Sequence, residues 1–309
     1  MIALLLAFAV APPSAVSLAA SRGLDRLQTG AIQYTQNRQC FACHHQALSL
    51  SVARLGAAQG FAIRPGFVAD QIAFTRATFE TKLDRVRKGE GVPGGNTMTA
   101  YALFALSQAG HPGDEVTAAL VEYLLVKQAA DGSWPAVMPR PPSEGSRFTN
   151  AALALAGLSR YGDQTKVSAA RAKGMAWLRK AKPVDHEDRV FRLMALSDLG
   201  DDTTEARNDL ARRQNDDGSW SQLDHQPGDA YATATALVAL RQAGKKGAQL
   251  QAGIDYLLRT QLSSGAWLVT TRSRPVQTFF DNGDPGGKSQ FISFLATGWA
   301  VRALLESMP

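Results

Sequence analysis

The chain has two cysteines, Cys40 and Cys43, and they stand directly before His44 and His45. Cys-x-x-Cys-His is the pattern by which a c-type haem is attached through two thioether bonds, with the adjacent imidazole on the iron. On a helix, positions i, i+3 and i+4 share a face, so both sulfurs and the ring would reach one porphyrin edge. His44 is then the expected proximal ligand, and Met98 or His186 are candidates for the distal side. The same residues permit other readings. A redox disulfide is one, although the βαβ context in which it usually sits is missing. Zinc held by Cys40, Cys43 and His44 or His45 is another, with His111, His186 and His225 the remaining histidines. A structural disulfide or two free thiols is the third.

The compartment bears on that choice. Residues 1–20 contain an apolar run at 2–10, then Pro12-Pro13 and a small-residue end, which reads as a secretory signal peptide followed by a single domain over 21–309. The run is too short for a bilayer span of about 20 residues. The segment carries no Lys or Arg, so an uncleaved membrane anchor is the alternative. A periplasmic or otherwise exported location suits covalent haem, which is attached outside the cytoplasm, and a redox partner protein would follow.

The formal charge of +6 comes from basic clusters such as Lys82, Arg85, Arg87, Lys88 and Arg171, Lys173, Arg179, Lys180, Lys182. They read first as solvated helix faces and second as a peripheral contact with anionic lipid or an acidic partner. No aromatic-basic interleaving accompanies them, so nucleic acid is not expected as a partner.

The elements that must position these residues show in a repeat. Gln128-Ala-Ala-Asp131-Gly132-Ser133-Trp134 recurs as Gln214-Asn-Asp-Asp217-Gly218-Ser219-Trp220, and more loosely as Gln261-Leu-Ser-Ser-Gly265-Ala-Trp267. Each copy ends one amphipathic segment and precedes an Ala/Leu-rich one. A Gly past a helix end takes the left-handed conformation, the Asp or Ser bonds local backbone, and the Gln can bridge free groups at helix ends. Periodicity gives six segments of one kind, at 24–38, 66–88, 114–128, 165–180, 203–214 and 247–261. Six more uniformly apolar ones lie at 40–58, 96–110, 147–161, 187–200, 229–244 and 288–307. A helix apolar on most sides is buried on most sides. The expected fold is therefore all-α, an (α/α)6 toroid with the second set as its inner ring.

The Gln-x-x-Asp-Gly-Ser-Trp copies resemble the QW motifs of the squalene-hopene cyclase family, and the six-plus-six count resembles the toroid shared with protein prenyltransferase β subunits. Arg140-Pro141-Pro142 and the run from Asp281 to Ser293, with Thr297-Gly-Trp299, are similar to short bacterial squalene-cyclase-like proteins of unassigned activity. The resemblance spans about 24–305. It implies an isoprenoid or other apolar molecule in the barrel, yet the family's Asp-x-Asp-Asp acid is missing: Asp216-Asp217 belongs to a repeat turn and Asp201-Asp202 opens an outer helix. The late Asp, Cys and His that hold the prenyltransferase zinc are missing too, since both cysteines are early.

Three functions follow as expectations. The first is an exported haem protein working in electron transfer or redox chemistry. The second is a cyclase or transferase with an unrecognised acid, for which no inner helix offers an obvious carboxylate pair. The third is a non-catalytic lipid-binding or scaffold protein. Arg147, Thr149, Asp188, Arg189, Tyr231, Lys288 and Gln290 fall at inner-helix starts, where they would rim a ligand site or serve as caps and ion pairs. Phe104, Phe191, Phe291 and Trp299 are large enough to fill the cavity.

Overall fold

The computed structural model describes residues 14–137, 140–274 and 279–308. Residues 1–13 of the expected leader lie outside these. Residues 14–20 of it are described: Ser14 caps the first helix, α1 (Ala15–Asn37), and Ala19 and Ala20 are buried.

Alternate helices differ in how they are buried. In α8 (Gln164–Lys180) only Val167, Ala170, Gly174 and Leu178 are buried, a single stripe at spacings of three and four. In α11 (Ala230–Gln242) every residue from Ala230 to Leu240 is buried. One-sided burial places a helix outside the ring and all-round burial places it inside.

The inner ring is α2 (His45–Ala58), α5 (Gly95–Gln108), α7 (Arg147–Tyr161), α9 (His186–Asp198), α11 and α13 (Gln290–Ser307); each packs on the next, and α13 packs back on α2. The outer layer is α1, the pair α3 (Phe67–Glu80) and α4 (Leu83–Arg87), α6 (Glu115–Lys127), α8, α10 (Thr204–Ala211) and α12 (Ala248–Thr260). The expected segment at 66–88 is thus two helices. Its break falls at Lys82, where φ and ψ are −142° and 26°, and no Gly or Pro marks it in the sequence. Among the described residues there is no strand, and no helix is long and apolar enough to cross a membrane.

The three repeat copies build one structure. Trp134, Trp220 and Trp267 are fully buried and donate their indole N–H to Leu124, Leu210 and Leu257 carbonyls at 2.8, 2.9 and 2.8 Å, binding each turn to the helix before it. Gln128, Gln214 and Gln261 each donate to the glycine carbonyl of their own turn and to a carbonyl of the following outer helix: Ala170, Gln249 and Ala19. Gly132, Gly218 and Gly265 have positive φ, and a Cβ there would lie 2.4 to 2.5 Å from the carbonyl oxygens of Lys173, Ala252 and Arg22. Each turn is therefore a clasp between consecutive outer helices. The third clasp holds α12 to α1 and closes the circle.

Inner helices also approach closely where a side chain is missing. A Cβ on Gly298 of α13 would lie 2.5 Å from Cβ of Leu48 in α2. The interior is filled: Tyr101, Tyr231, Phe191 and Trp299 are fully buried, the last two edge to face at 6.0 Å. Tyr231 of α11 donates to Glu187 Oε2 of α9 at 2.9 Å, and Thr149 of α7 donates to Oε1 at 2.8 Å, so three inner helices meet on one buried carboxyl.

Candidate functional site at the mouth of the ring

Residues 38–44 join α1 to α2 without regular structure, and the helix starts at His45. The expectation that residues 40, 43 and 44 share one helical face is therefore corrected. Side chains satisfy two backbone donors of this turn. Phe41 N–H bonds Thr78 Oγ1 at 2.8 Å, Ala42 N–H bonds Gln46 Oε1 at 2.9 Å, and Gln46 is held by Gln71 at 3.2 Å.

The turn separates the three residues of the motif. Cys40 is exposed, with Sγ 4.0 Å from Tyr34 Oη. Cys43 is buried and its thiol donates to the Glu144 carboxylate; burial, then that neighbouring negative charge, holds the thiol pKa well above its ordinary value. His44 lies against Phe291, ring centroids 4.6 Å apart, and turns Nδ1 to Nδ1 of His45. His45 is fully buried, stacked on Tyr34 at 4.8 Å, with Nε2 3.2 Å from Asp284 Oδ2. Arg26 completes the row, its Nε 2.9 Å from Asp284 Oδ1. Burial depresses the pKa of both imidazoles far below the ordinary histidine value, and burial lifts Asp284 to about 6 against the pull of Arg26.

His44 forms one wall of a cavity of about 300 Å³ at the end of the ring where the inner helices begin. Phe279, Phe291, Ile292, Leu295, Pro141 and Pro142 give it an apolar lining, and Arg140, Arg274 and Lys288 bring three positive charges against the one carboxylate of Glu144. Arg140 is ion-paired with Glu144, and its Nε is buried without a partner among the described residues. Three stretches singled out in the sequence thus converge: the Cys/His loop, the Arg-Pro-Pro loop, and the run that leads into α13.

The other expected site residues go elsewhere. Met98 lies with Cys43, Gly94 and Thr97 along a separate hollow of about 10 Å³, roughly the room for one water. His186 is buried with Nε2 3.2 Å from Thr235 Oγ1, and it lines a different hollow beside Arg189 and Arg213. Neither shares the cavity with His44. Of the rim residues, only Lys288 reaches the cavity. Arg147 pairs with Asp131, Arg189 with Asp209, Asp188 accepts from Ser146, Thr149 and Tyr231 bind Glu187, and Gln290 bonds Asn282 N–H.

For haem, the imidazole side of the motif fits and the sulfur side does not. The His44 ring lies in the wall of the cavity, while neither sulfur lines it. No three of the described His, Cys, Asp and Glu side chains come together as a metal site, so the zinc reading finds no ligand set among them.

Glu144, Glu187 and Asp284 did not stand out as site residues in the sequence. Glu187 had a signal: a carboxylate in the first turn of a helix otherwise apolar on its inward side. Burial raises its pKa to about 8, so it is an acid held neutral, enclosed by Tyr231 and Thr149 and away from the mouth cavity.

No protein-family model matches the sequence, and no curated protein does. Solved structures match over nearly the whole chain. A protein from Actinoplanes is 18% identical, with 95% of this chain and 100% of that one covered at a TM-score of 0.61. The type II terpene cyclase MstE from Scytonema, without ligand, is 14% identical with 95% and 98% covered at 0.62. Its R337A variant in complex with the substrate geranylgeranyl dihydroxybenzoate gives 14%, 94%, 98% and 0.57. The chain has the closed helical toroid fold seen in that terpene cyclase.

Proposed function

We propose that this toroid binds an apolar, isoprenoid-like molecule with an acidic end at the mouth of its ring. The observation that carries the reading is the cavity of about 300 Å³ that pairs an apolar lining with Arg140, Arg274 and Lys288. Apolar walls supply affinity roughly in proportion to the area covered, and a few fixed polar groups set orientation. The substrate of the Scytonema cyclase has the same division, a long apolar chain on an aromatic acid. Binding is favoured over cyclisation because the ring interior is filled, and the neutral acid Glu187 does not reach the cavity.

Titration calorimetry with farnesoic acid and its methyl ester tests this. The acid is expected to bind at least tenfold tighter than the ester, and a double variant Arg140→Leu, Lys288→Leu should erase the difference. Equal affinity for acid and ester in the unaltered protein, or binding of neither, would sink the reading.

A second reading, covalent haem on Cys40 and Cys43 with His44 as ligand in an exported protein, is favoured by the His44 ring in the wall of a cavity that carries Arg140, Arg274 and Lys288. A bound haem would supply one-electron chemistry. Export of the full chain from a host with cytochrome c maturation, followed by a denaturing haem spectrum, decides it: haem bands that survive denaturation support it, and a colourless protein removes it.

A further inference from the structure

We propose that Arg26, Asp284 and His45 lock the tautomer of His44, so that its Nε2 lone pair faces the cavity as acceptor for a hydroxyl carried next to the ligand's acidic group. The ligand half of this inference rests on the acid-binding reading above. The tautomer half does not.

Proton positions are fixed in turn from the ion pair inward. Arg26 Nε lies 2.9 Å from Asp284 Oδ1, which keeps Asp284 a carboxylate at neutral pH and so an acceptor only. Its other oxygen is 3.2 Å from His45 Nε2, which must therefore carry the proton. Asn282 agrees. Its side-chain amide meets the same nitrogen at 3.0 Å, and with the amide turned so that its oxygen takes that place it is a second acceptor for the Nε2 proton. With its proton on Nε2, His45 has only a lone pair at Nδ1. The contact between the two Nδ1 atoms then requires that His44 be the donor. A neutral His44 protonated at Nδ1 has its lone pair at Nε2, which has no protein partner among the described residues, and the ring forms a wall of the cavity.

The neutral state of both rings is consistent with their burial. The groups that surround them are Arg26, Tyr34, Arg140 and Asp284, with Phe291 and Phe294 as apolar packing. Arg140 and Lys288 stand in the same cavity wall to take the acid. A lone pair that lines a ligand cavity selects for a donor there, and an unmatched acceptor costs affinity.

The first readout is a long-range proton-nitrogen NMR spectrum of the full chain at neutral pH, with His44→Phe to identify the His44 signals. His44 is expected to carry its proton on Nδ1 and His45 on Nε2. Asp284→Asn, which can donate as well as accept, should leave both rings mixed. A wild-type His44 protonated at Nε2, or unchanged tautomers in a folded Asp284→Asn variant, would overturn the lock. The second readout compares lauric acid with α-hydroxylauric acid by calorimetry. The hydroxy acid should bind about tenfold tighter, the worth of one hydrogen bond near 1.4 kcal/mol, and His44→Phe should bind the two alike. Equal binding in the wild type overturns the hydroxyl assignment. If neither acid binds, the acid-binding reading and the hydroxyl fall together, while the nitrogen spectrum still decides the tautomer lock.

Discussion

The side-chain amide of Gln261 donates to the carbonyl of Ala19 at 2.9 Å, across 242 residues of chain. This bond joins the last outer helix to the first, so the ring depends on residues at the very start of α1.

A protein begun at Ser21 loses the Ala19 acceptor, two buried alanines and the Ser14 cap. It should unfold at clearly lower urea than one begun at Ser14, by about 2–4 kcal/mol, and Gln261→Ala should lose about 1–2 kcal/mol. Equal urea midpoints for the two starts would show that closure at α1 does not hold the ring.

Two glycines with similar φ separate strain from collision. Gly218 has φ +88°, and a Cβ added there would meet Ala252 O at 2.4 Å, whereas Gly244 has φ +77° and open space. Gly244→Ala should cost about 1 kcal/mol, and Gly218→Ala about 2–4 kcal/mol because the clasp must also open. Chemical denaturation of both variants reads the difference.

Glu187 makes stability fall as pH rises from 4.5 towards 8. Its carboxyl titrates near 8 in the fold against 4.5 unfolded, so the fold holds a proton that the unfolded chain releases. The advantage is complete below 4.5 and is lost as pH rises towards 8, by roughly 3–5 kcal/mol. His186 has the opposite limb: titrating near 3, it is neutral in the fold, and stability falls as pH drops below 6.5. Glu187→Gln should remove the fall between pH 4.5 and 8 and leave the His186 loss below 6.5 in place; an unchanged fall over that window would refute the role given to Glu187.

The two thiols should be distinguishable without mutation. A thiol reagent is expected to modify Cys40 in the native protein and Cys43 only on unfolding, because Cys43 is buried and bonded to Glu144. Native modification of both, or of neither, would contradict these placements.

The ring was legible because burial and period are properties of a segment. The six apolar and six amphipathic stretches map onto inner and outer helices, and Gln, Gly and Trp in each repeat have local roles that their spacing reveals. The mouth was legible only in pieces. His44, Arg140 and Lys288 lie in segments that drew notice, but nothing in one dimension says that Asp284 faces His45 or that Glu144 takes the thiol of Cys43. The helical face expected for Cys40, Cys43 and His44 failed because the helix starts only at His45, and the side chains that hold the turn before it, Thr78 and Gln46, are placed by tertiary packing. Met98 and His186 shared a helix-start position with His44 and nothing more.

The clasps follow α6, α10 and α12, and none of them contributes a wall to the mouth cavity. At the joint between α1 and α2 the place of a clasp is taken by residues 38–44. Frame and mouth are thus built from separate residues: those at 38–44, 140–146, 271–274 and 279–288 can be exchanged, and ligands with them, while the three tryptophan turns keep the circle shut. A chain built this way can change its chemistry without first having to find a new way to stand.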